Sequence, residues 1–270
     1  MPVMSHGAPS LWTQLPQSGR TPSDRYKHAC CGYDGSVYML GGRGSGCLRD
    51  FWKYSVVRNE WAELSCEGDG APEEVEGHSM VAHQGFLYVF GGMLDSAYSQ
   101  SLCPLWVFDV AQQKWVVWQG KTPQAQRPGN RKGHSAVVLG SSMLLYGGLL
   151  DMRGSSQEFW TLDLGESESD AAADGRDVDH GAVCVCVCVP GSMAWSQLGP
   201  QQAAPGPGPR HSHSAAAHRG CMYLFGGLKG LREQRDFWRW SCVGRTWSAL
   251  RTKSVSKDEL IIQRVGVCST

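Results

Sequence analysis

The sequence predicts an all-β fold assembled from repeats of short strands, and three observations carry that prediction. One stretch recurs: Val37-Tyr38-Met39-Leu40-Gly41-Gly42, Leu87-Tyr88-Val89-Phe90-Gly91-Gly92, Met143-Leu144-Leu145-Tyr146-Gly147-Gly148 and Met222-Tyr223-Leu224-Phe225-Gly226-Gly227. Each is a short apolar run closed by a double glycine, the pattern of a strand buried on both faces. The glycines let another backbone approach closely and admit a positive φ at which other residues clash. The copies recur at a spacing of about 50 residues, the mark of a repeat architecture. Finally, 34 glycines and 11 tryptophans in 270 residues, without long charged helical patterns, suit many short strands joined by tight turns.

The elements follow in order. Leu11-Trp12-Thr13-Gln14-Leu15 resembles Trp61-Ala62-Glu63-Leu64, Trp195-Ser196-Gln197-Leu198 and Trp247-Ser248-Ala249-Leu250, each of which ends a repeat. The chain therefore opens on a last strand with no earlier strands of its own. In the first full repeat, strand a begins at Arg25-Tyr26-Lys27-His28-Ala29-Cys30, and Asp34-Gly35 turns it into strand b, which ends at Gly42. A loop, Arg43 to Arg49, leads to strand c at Asp50-Phe51-Trp52-Lys53-Tyr54, and Arg58-Asn59 turns the chain into strand d with Trp61. A two-residue turn there would make Tyr54 and Trp61 diagonal neighbours on one face. The second repeat matches with His78-Ser79-Met80, Gln84-Gly85, Leu105-Trp106-Val107-Phe108 and Trp115. The third has Arg131-Lys132-Gly133-His134-Ser135 and Glu158-Phe159-Trp160-Thr161-Leu162. The fourth has Arg210-His211-Ser212-His213-Ser214, Asp236-Phe237-Trp238-Arg239-Trp240 and Trp247. Connecting segments such as Gly199 to Pro209 are rich in Pro and Gly.

These residues resemble those of kelch repeats, from Leu11 to Leu250. The resemblance implies a kelch β-propeller in which each repeat is a four-stranded blade. Four blades are recognisable, at about 25–64, 78–118, 131–198 and 210–250, together with the orphan N-terminal strand. The family closes its rings with more blades than these. An incomplete ring is therefore expected, from a truncated or alternatively spliced product, with a disordered 1–10 and an atypical tail at 251–270. Unpaired edges and apolar end faces then predict poor solubility or self-association. The third repeat departs from the pattern, because its tryptophan, Trp195, arrives late. The excess lies in 165–193 and contains Val183-Cys184-Val185-Cys186-Val187-Cys188-Val189, the product of a TGTGTG tract. Translated intron, a surface insertion and a metal site are the three readings of it.

Composition narrows function. The formal net charge is zero, which argues against a dominant nucleic-acid or lipid footprint. No segment approaches the roughly 18 apolar residues of a membrane span, and Met1 to Ser10 shows no signal-peptide pattern. The 11 cysteines are scattered without CxxC pairs, so free thiols in the cytoplasm are expected, with the nucleus also open. Lys257-Asp258-Glu259-Leu260 spells a retention signal but is internal.

His28, His78, His134 and His213 open strand a of different repeats and are expected to pack or hydrogen-bond rather than hold a metal. Arg25, Arg131 and Arg210 stand three before the histidine, where the second repeat has Val75. They suit either internal pairing with carboxylates and carbonyls or partner contact. Arg43, Ser45, Asp95, Tyr98, Asp151, Arg153, Lys229 and Arg232 fall in the b-to-c loops, on the blade face that in the family often binds a peptide or protein. Arginine suits that role through its planar fork of donors. No nucleophile elbow, phosphate-binding loop or HExxH motif is present, nor the copper-ligand set of galactose-oxidase-like kelch enzymes. No cofactor is expected. The resemblance implies a non-catalytic scaffold binding a peptide or protein through its rim loops. A ubiquitin-ligase substrate receptor is one such role and a small-GTPase or trafficking effector another.

Overall fold

A computed structural model describes residues 14–17, 19–94, 105–117, 122–123, 126–151, 153–165, 193–199 and 206–251. Its named elements are all strands, and no helix of the described residues is long and apolar enough to cross a membrane. Blade 1 is β1 (Ala29–Tyr33), β2 (Ser36–Arg43), β3 (Cys47–Ser55) and β4 (Glu60–Leu64). After β5 (Val75–Glu76), blade 2 runs through β6 (Ser79–His83), β7 (Phe86–Phe90), β8 (Met93–Leu94), β9 (Leu105–Asp109) and β10 (Lys114–Val116). Blade 3 comprises β11 (Ser135–Leu139), β12 (Ser142–Tyr146), β13 (Leu149–Leu150), β14 (Gly154–Ser155), β15 (Phe159–Asp163) and β16 (Trp195–Gln197). Blade 4 comprises β17 (Ser214–His218), β18 (Cys221–Phe225), β19 (Leu228–Lys229), β20 (Arg232–Glu233), β21 (Phe237–Ser241) and β22 (Thr246–Leu250). Each blade is a four-stranded antiparallel meander, and β5–β8, β13–β14 and β19–β20 are small separate sheets.

Turn chemistry sets the registers. Asp34-Gly35, Gln84-Gly85 and Arg219-Gly220 all have positive φ at both residues (46° and 63°, 45° and 85°, 46° and 69°). Such two-residue turns match the twist of the strands they join. The c-to-d turn is longer than expected. Ser55 pairs with Glu60, leaving four residues between them, and the Asn59 N–H donates to the Ser55 carbonyl at 2.8 Å. This wider closure puts Tyr54 directly opposite Trp61 instead of diagonal to it, with ring centroids 5.1 Å apart. Asn59, Gln113, Met193 and Arg245, each two before the strand-d tryptophan, all have positive φ. Leu162 pairs with Trp195 as Tyr54 pairs with Trp61, so Trp195 is the third blade's outer tryptophan. The Cys-Val run, Trp12 and the tail beyond 251 lie outside the described residues.

Two boundaries differ from the sequence expectation. β1 begins at Ala29, because Lys27 takes a φ of 56° and Tyr26 bridges instead to Arg43. The expected loop from Arg43 to Arg49 is mostly strand, since Gly42 pairs with Leu48 and Arg43 with Cys47 beyond a bulge at the double glycine.

The two glycines have separate jobs. A Cβ on the second would strike its own blade's histidine, at 2.8 Å from His28 Cβ for Gly42 and 2.9 Å from His134 Cβ for Gly148. A Cβ on the first would strike the next blade. It would lie 2.6 Å from the Val75 carbonyl oxygen for Gly41, from that of Arg131 for Gly91 and from that of Arg210 for Gly147.

The core lies between blades. Tyr38, Leu40 and Phe51 of blade 1 bury against Leu87, Val89, Phe108 and Trp115 of blade 2. Tyr88, Phe90 and Leu105 of blade 2 bury against Leu145, Trp160, Leu162 and Trp195 of blade 3. Tyr146 and Phe159 of blade 3 bury against Leu224 and Trp240 of blade 4, with Trp247 packed alongside. Every blade thus has a trailing face, presented to the next blade, and a leading face that carries its tryptophans. The inner strands pack in the series β1, β6, β11, β17, and among the described residues β17 makes no comparable packing back onto β1.

Candidate functional site

The three arginines that precede the blade histidines are internal clamps. Arg25 forms a two-pronged pair with Asp50 at 2.6 and 2.7 Å and donates to the Gly41 carbonyl at 3.2 Å. Arg131 reaches Glu158 at 2.5 Å and the Gly147 carbonyl at 3.1 Å. Arg210 reaches Asp236 at 2.7 and 2.8 Å and the Gly226 carbonyl at 2.8 Å. Each carboxylate also accepts from the indole N–H two residues on, of Trp52, Trp160 and Trp238. The side chains of Arg25, Arg131 and Arg210 are 3%, 0% and 1% exposed. Of the two roles open to these arginines, the geometry therefore shows internal pairing.

The histidines bind blade to blade. His134 Nε2 lies 2.8 Å from Ser79 Oγ, and His213 Nε2 lies 2.8 Å from Ser135 Oγ. Burial holds all three following histidines neutral: His78 and His213 are pushed down to about 3, and His134 falls well below its ordinary value. Among the described residues, no group of three or more His, Cys, Asp or Glu could hold a metal ion. The buried Cys66 thiol, raised to about 11 mainly by desolvation, is a poor nucleophile.

What remains for a partner is the face where the b-to-c connections meet the segments entering strand a. Tyr26 bridges Arg43, Lys132 bridges Leu149 and His211 bridges Leu228, while β5 pairs with β8. The mouth is drawn together by a backbone series of left-handed residues, one per blade. Gly77 donates to the Lys27 carbonyl at 2.9 Å, Gly133 to Gly77 at 2.8 Å and Ser212 to Gly133 at 2.6 Å. All four have φ between 53° and 69°. Glu76 sits among cations, with Lys27 Nζ at 2.9 Å and Arg43 Nε also hydrogen-bonded to it. Burial alone would raise the Glu76 carboxyl, but these two partners outweigh it and hold it below the usual range. Lys132 lies 3.7 Å from Met93 Sδ and, after desolvation, is the second cause lowering His211.

Arg43 is thus partly committed to Glu76, whereas Ser45, Asp151, Arg153, Lys229 and Arg232 are exposed. Asp95 and Tyr98 lie outside the described residues. The sequence expectation missed Lys27, Glu76, Lys132, His211 and Leu231. Leu231 is 101% exposed, between strands carrying Lys229 and Arg232 that pair across the hairpin. A leucine in a polar hairpin bounded by glycine was the available signal. Around the whole face the basic groups Lys27, Arg43, Lys132, Arg153, Lys229 and Arg232 are matched by the carboxylates Asp24, Glu73, Glu74, Glu76, Asp151 and Glu233, and the basic excess is local to blades 3 and 4, where Lys132, Arg153, Lys229 and Arg232 face Asp151 and Glu233.

Comparisons with known proteins agree with this architecture. The family described as "KLHDC2/KLHL20/DRC7 Kelch-repeats domain" matches residues 6–125 and 116–260. Kelch domain-containing protein 3 of Homo sapiens is 27% identical over 259 residues, covering 90% of this chain and 60% of the relative. Host cell factor 2 of Homo sapiens is 26% identical over 269 residues, covering 91% of this chain and 30% of the relative. Kelch domain-containing protein 10 of Xenopus tropicalis is 23% identical over 249 residues, covering 91% of this chain and 54% of the relative. The chain therefore spans less than two thirds of the length of each of these relatives. The matched repeats, the four meandering blades and the glycine and tryptophan contacts between them place the chain in the kelch-repeat family of β-propellers.

Proposed function

We propose that this propeller is a non-catalytic interaction module that takes an acidic, partly apolar peptide or protein segment on its b-to-c face. The observation that carries the reading is the β19–β20 hairpin. It holds Leu231 fully in solvent between exposed Lys229 and Arg232. An exposed apolar side chain ringed by cations supplies the anchor and rim of a small interface. The local excess of positive charge beside blades 3 and 4, from Lys132, Arg153, Lys229 and Arg232 against Asp151 and Glu233, favours an acidic partner there, chiefly through association rate. A substrate-receptor role in ubiquitin ligation is the use the resemblance suggests first.

The test is a peptide library screened by fluorescence polarisation against the chain and against a Leu231→Ala variant and a Lys229→Glu/Arg232→Glu variant. Acidic peptides are expected to bind, weakened about tenfold or more by the charge reversal, a change of roughly 1.4 kcal/mol. Selection of basic peptides, or binding indifferent to both variants, overturns the reading. For the receptor role, a protein carrying the selected peptide should accumulate in cells lacking this chain, and unchanged turnover would rule that role out.

A further inference from the structure

We propose that Met93 is a site of reversible oxidation to the sulfoxide, and that Lys132 of the next blade receives the oxidised side chain. The site lies on the b-to-c face, at the junction of blades 2 and 3.

Exposure selects the residue. Met39, Met80, Met143, Met193 and Met222 are at most 6% exposed, whereas Met93 is 39% exposed. Among the described methionines, Met93 alone therefore offers its thioether to a solute without prior opening of the core.

The backbone holds Met93 in that position. It lies on β8, in register with Glu76 on β5, and its neighbour Leu94 pairs with Val75, which is fully buried. Gly92, just before it, donates its N–H to the Arg131 carbonyl of blade 3 at 2.8 Å. The thioether is thus carried on a ribbon tied to both blades.

Lys132 is fixed from the other side. Its N–H donates to the Leu149 carbonyl at 3.2 Å, and its carbonyl accepts from the Leu149 N–H at 2.8 Å. Its ammonium lies 3.7 Å from Met93 Sδ. A thioether sulfur is a weak acceptor, so the contact contributes little in the reduced protein. A sulfoxide oxygen is a strong acceptor, and the cation that would donate a charge-assisted bond to it is already beside the sulfur.

The oxidant is hydrogen peroxide. The sulfur lone pair attacks one peroxide oxygen, the O–O bond breaks and hydroxide leaves. The hydroxysulfonium so formed gives its proton to that hydroxide. One thioether and one hydrogen peroxide become one sulfoxide and one water, and the two electrons lost by sulfur are gained by the peroxide. Methionine sulfoxide reductases reverse the change. The product makes an apolar point on the face polar and commits Lys132 to a bond between blades. Thiols compete for peroxide as thiolates. Burial, with Cys221 beside it, pushes up the exposed Cys242 thiol, so mildly acidic conditions favour the thioether.

The folded chain is treated with hydrogen peroxide at about pH 6, sampled over time, reduced to restore thiols and mapped by peptide mass spectrometry. Met93 should gain oxygen about tenfold or more faster than each of the five buried methionines. Similar rates, or a buried methionine leading, overturn the site. Lys132→Leu tests the receiver. Oxidation should leave the parent's thermal midpoint unchanged or higher and lower that of Lys132→Leu by about 2–4 °C, the effect of one hydrogen bond in a chain of this size. A Met93→Leu variant oxidised alike corrects both for oxidation elsewhere. Equal shifts in the two proteins overturn the role of Lys132. No peptide enters either measurement, so the outcome is independent of peptide binding on this face.

Discussion

His134 of blade 3 lies 2.8 Å, by its Nε2, from the Ser79 hydroxyl of blade 2, joining the inner strands of two blades through groups that are both largely out of solvent. The same contact recurs between His213 and Ser135. At the first junction the matching position of the preceding blade is Ala29, a methyl where its sisters have a hydroxyl, and among the described residues His78 Nε2 is buried without a hydrogen-bond partner. Ala29→Ser should therefore complete the set. A buried hydrogen bond contributes about 1 kcal/mol, which for a chain of this size raises the melting midpoint by about 2–4 °C. Calorimetry of the variant checks this, and an unchanged or lower midpoint contradicts it.

Acid should loosen the molecule before its carboxylates titrate. Burial, with His28 beside His78 and Arg210 beside His213, holds both histidines near 3. In the unfolded chain they take a proton near 6.5. The unfolded state therefore binds more protons between about pH 6.5 and 3, and stability falls as pH drops through that window. Each histidine contributes roughly 1 kcal/mol per pH unit once well below 6.5. Glu158 and Asp236, held low against burial by their arginine partners, add their own losses only nearer pH 4. Urea midpoints at about pH 7, 6 and 5 should decline, less steeply in His213→Asn. A flat profile over that range would mean that the histidines are not buried neutral.

The first glycine of a pair serves the next blade, so its cost depends on whether a next blade is present. Gly91→Ala places a Cβ 2.6 Å from the Arg131 carbonyl and 2.7 Å from His134 Cε1, at a φ of 72°. That combines left-handed strain with overpacking, and a loss of about 3 kcal/mol or more is expected. Gly226→Ala carries the same backbone strain, at a φ of 67°, but among the described residues it meets only Gln234, at 3.2 Å. Its expected cost is about 1–2 kcal/mol. Equal costs in urea denaturation would show that the glycine serves the turn rather than the junction.

The blades were legible in the sequence because double glycine and outer tryptophan are imposed by contacts repeated at every junction. Trp195 was found despite its late arrival because Trp195-Ser196-Gln197-Leu198 repeats the segment that ends other blades, and it pairs with Leu162 as Trp61 pairs with Tyr54. The clamps were less legible. An arginine three before a histidine does not reveal its partner, and partner contact fitted it equally well. The discriminating signal was distributed along the chain: Asp50, Glu158 and Asp236 stand immediately before Phe-Trp where the arginine is present, whereas Pro104 stands before Leu105-Trp106 in the repeat with Val75. Leu231 left no periodic signature, because a hairpin tip is tied to no neighbour. The b-to-c connection of blade 1 was misjudged for a related reason. Glycine-rich Gly42-Arg43-Gly44-Ser45-Gly46 suggests a loop, but Gly42 and Arg43 stay in the ladder.

Blade 2 also shows how a clamp can be dispensed with, and this yields the last prediction. Its Val75 is fully buried at the position where Arg131 carries a guanidinium with no side-chain exposure, paired to Glu158 at 2.5 Å. Glu158→Ala would leave that guanidinium facing its carbonyl partners alone and remove the acceptor of the Trp160 indole. Breaking a buried pair from one side costs about 3–5 kcal/mol, and the partial exposure of Glu158, 35%, places the expectation at the lower end, about 3 kcal/mol. Removing both charges with Arg131→Val/Glu158→Ala restores the chemistry of blade 2. The double variant should then be more stable than Glu158→Ala alone, despite carrying one more substitution. A double-mutant cycle by urea denaturation measures the coupling directly. Strictly additive losses would mean that the carboxylate acts on the indole and not on the arginine, and the clamp would have to be reassigned to Glu158 and Trp160.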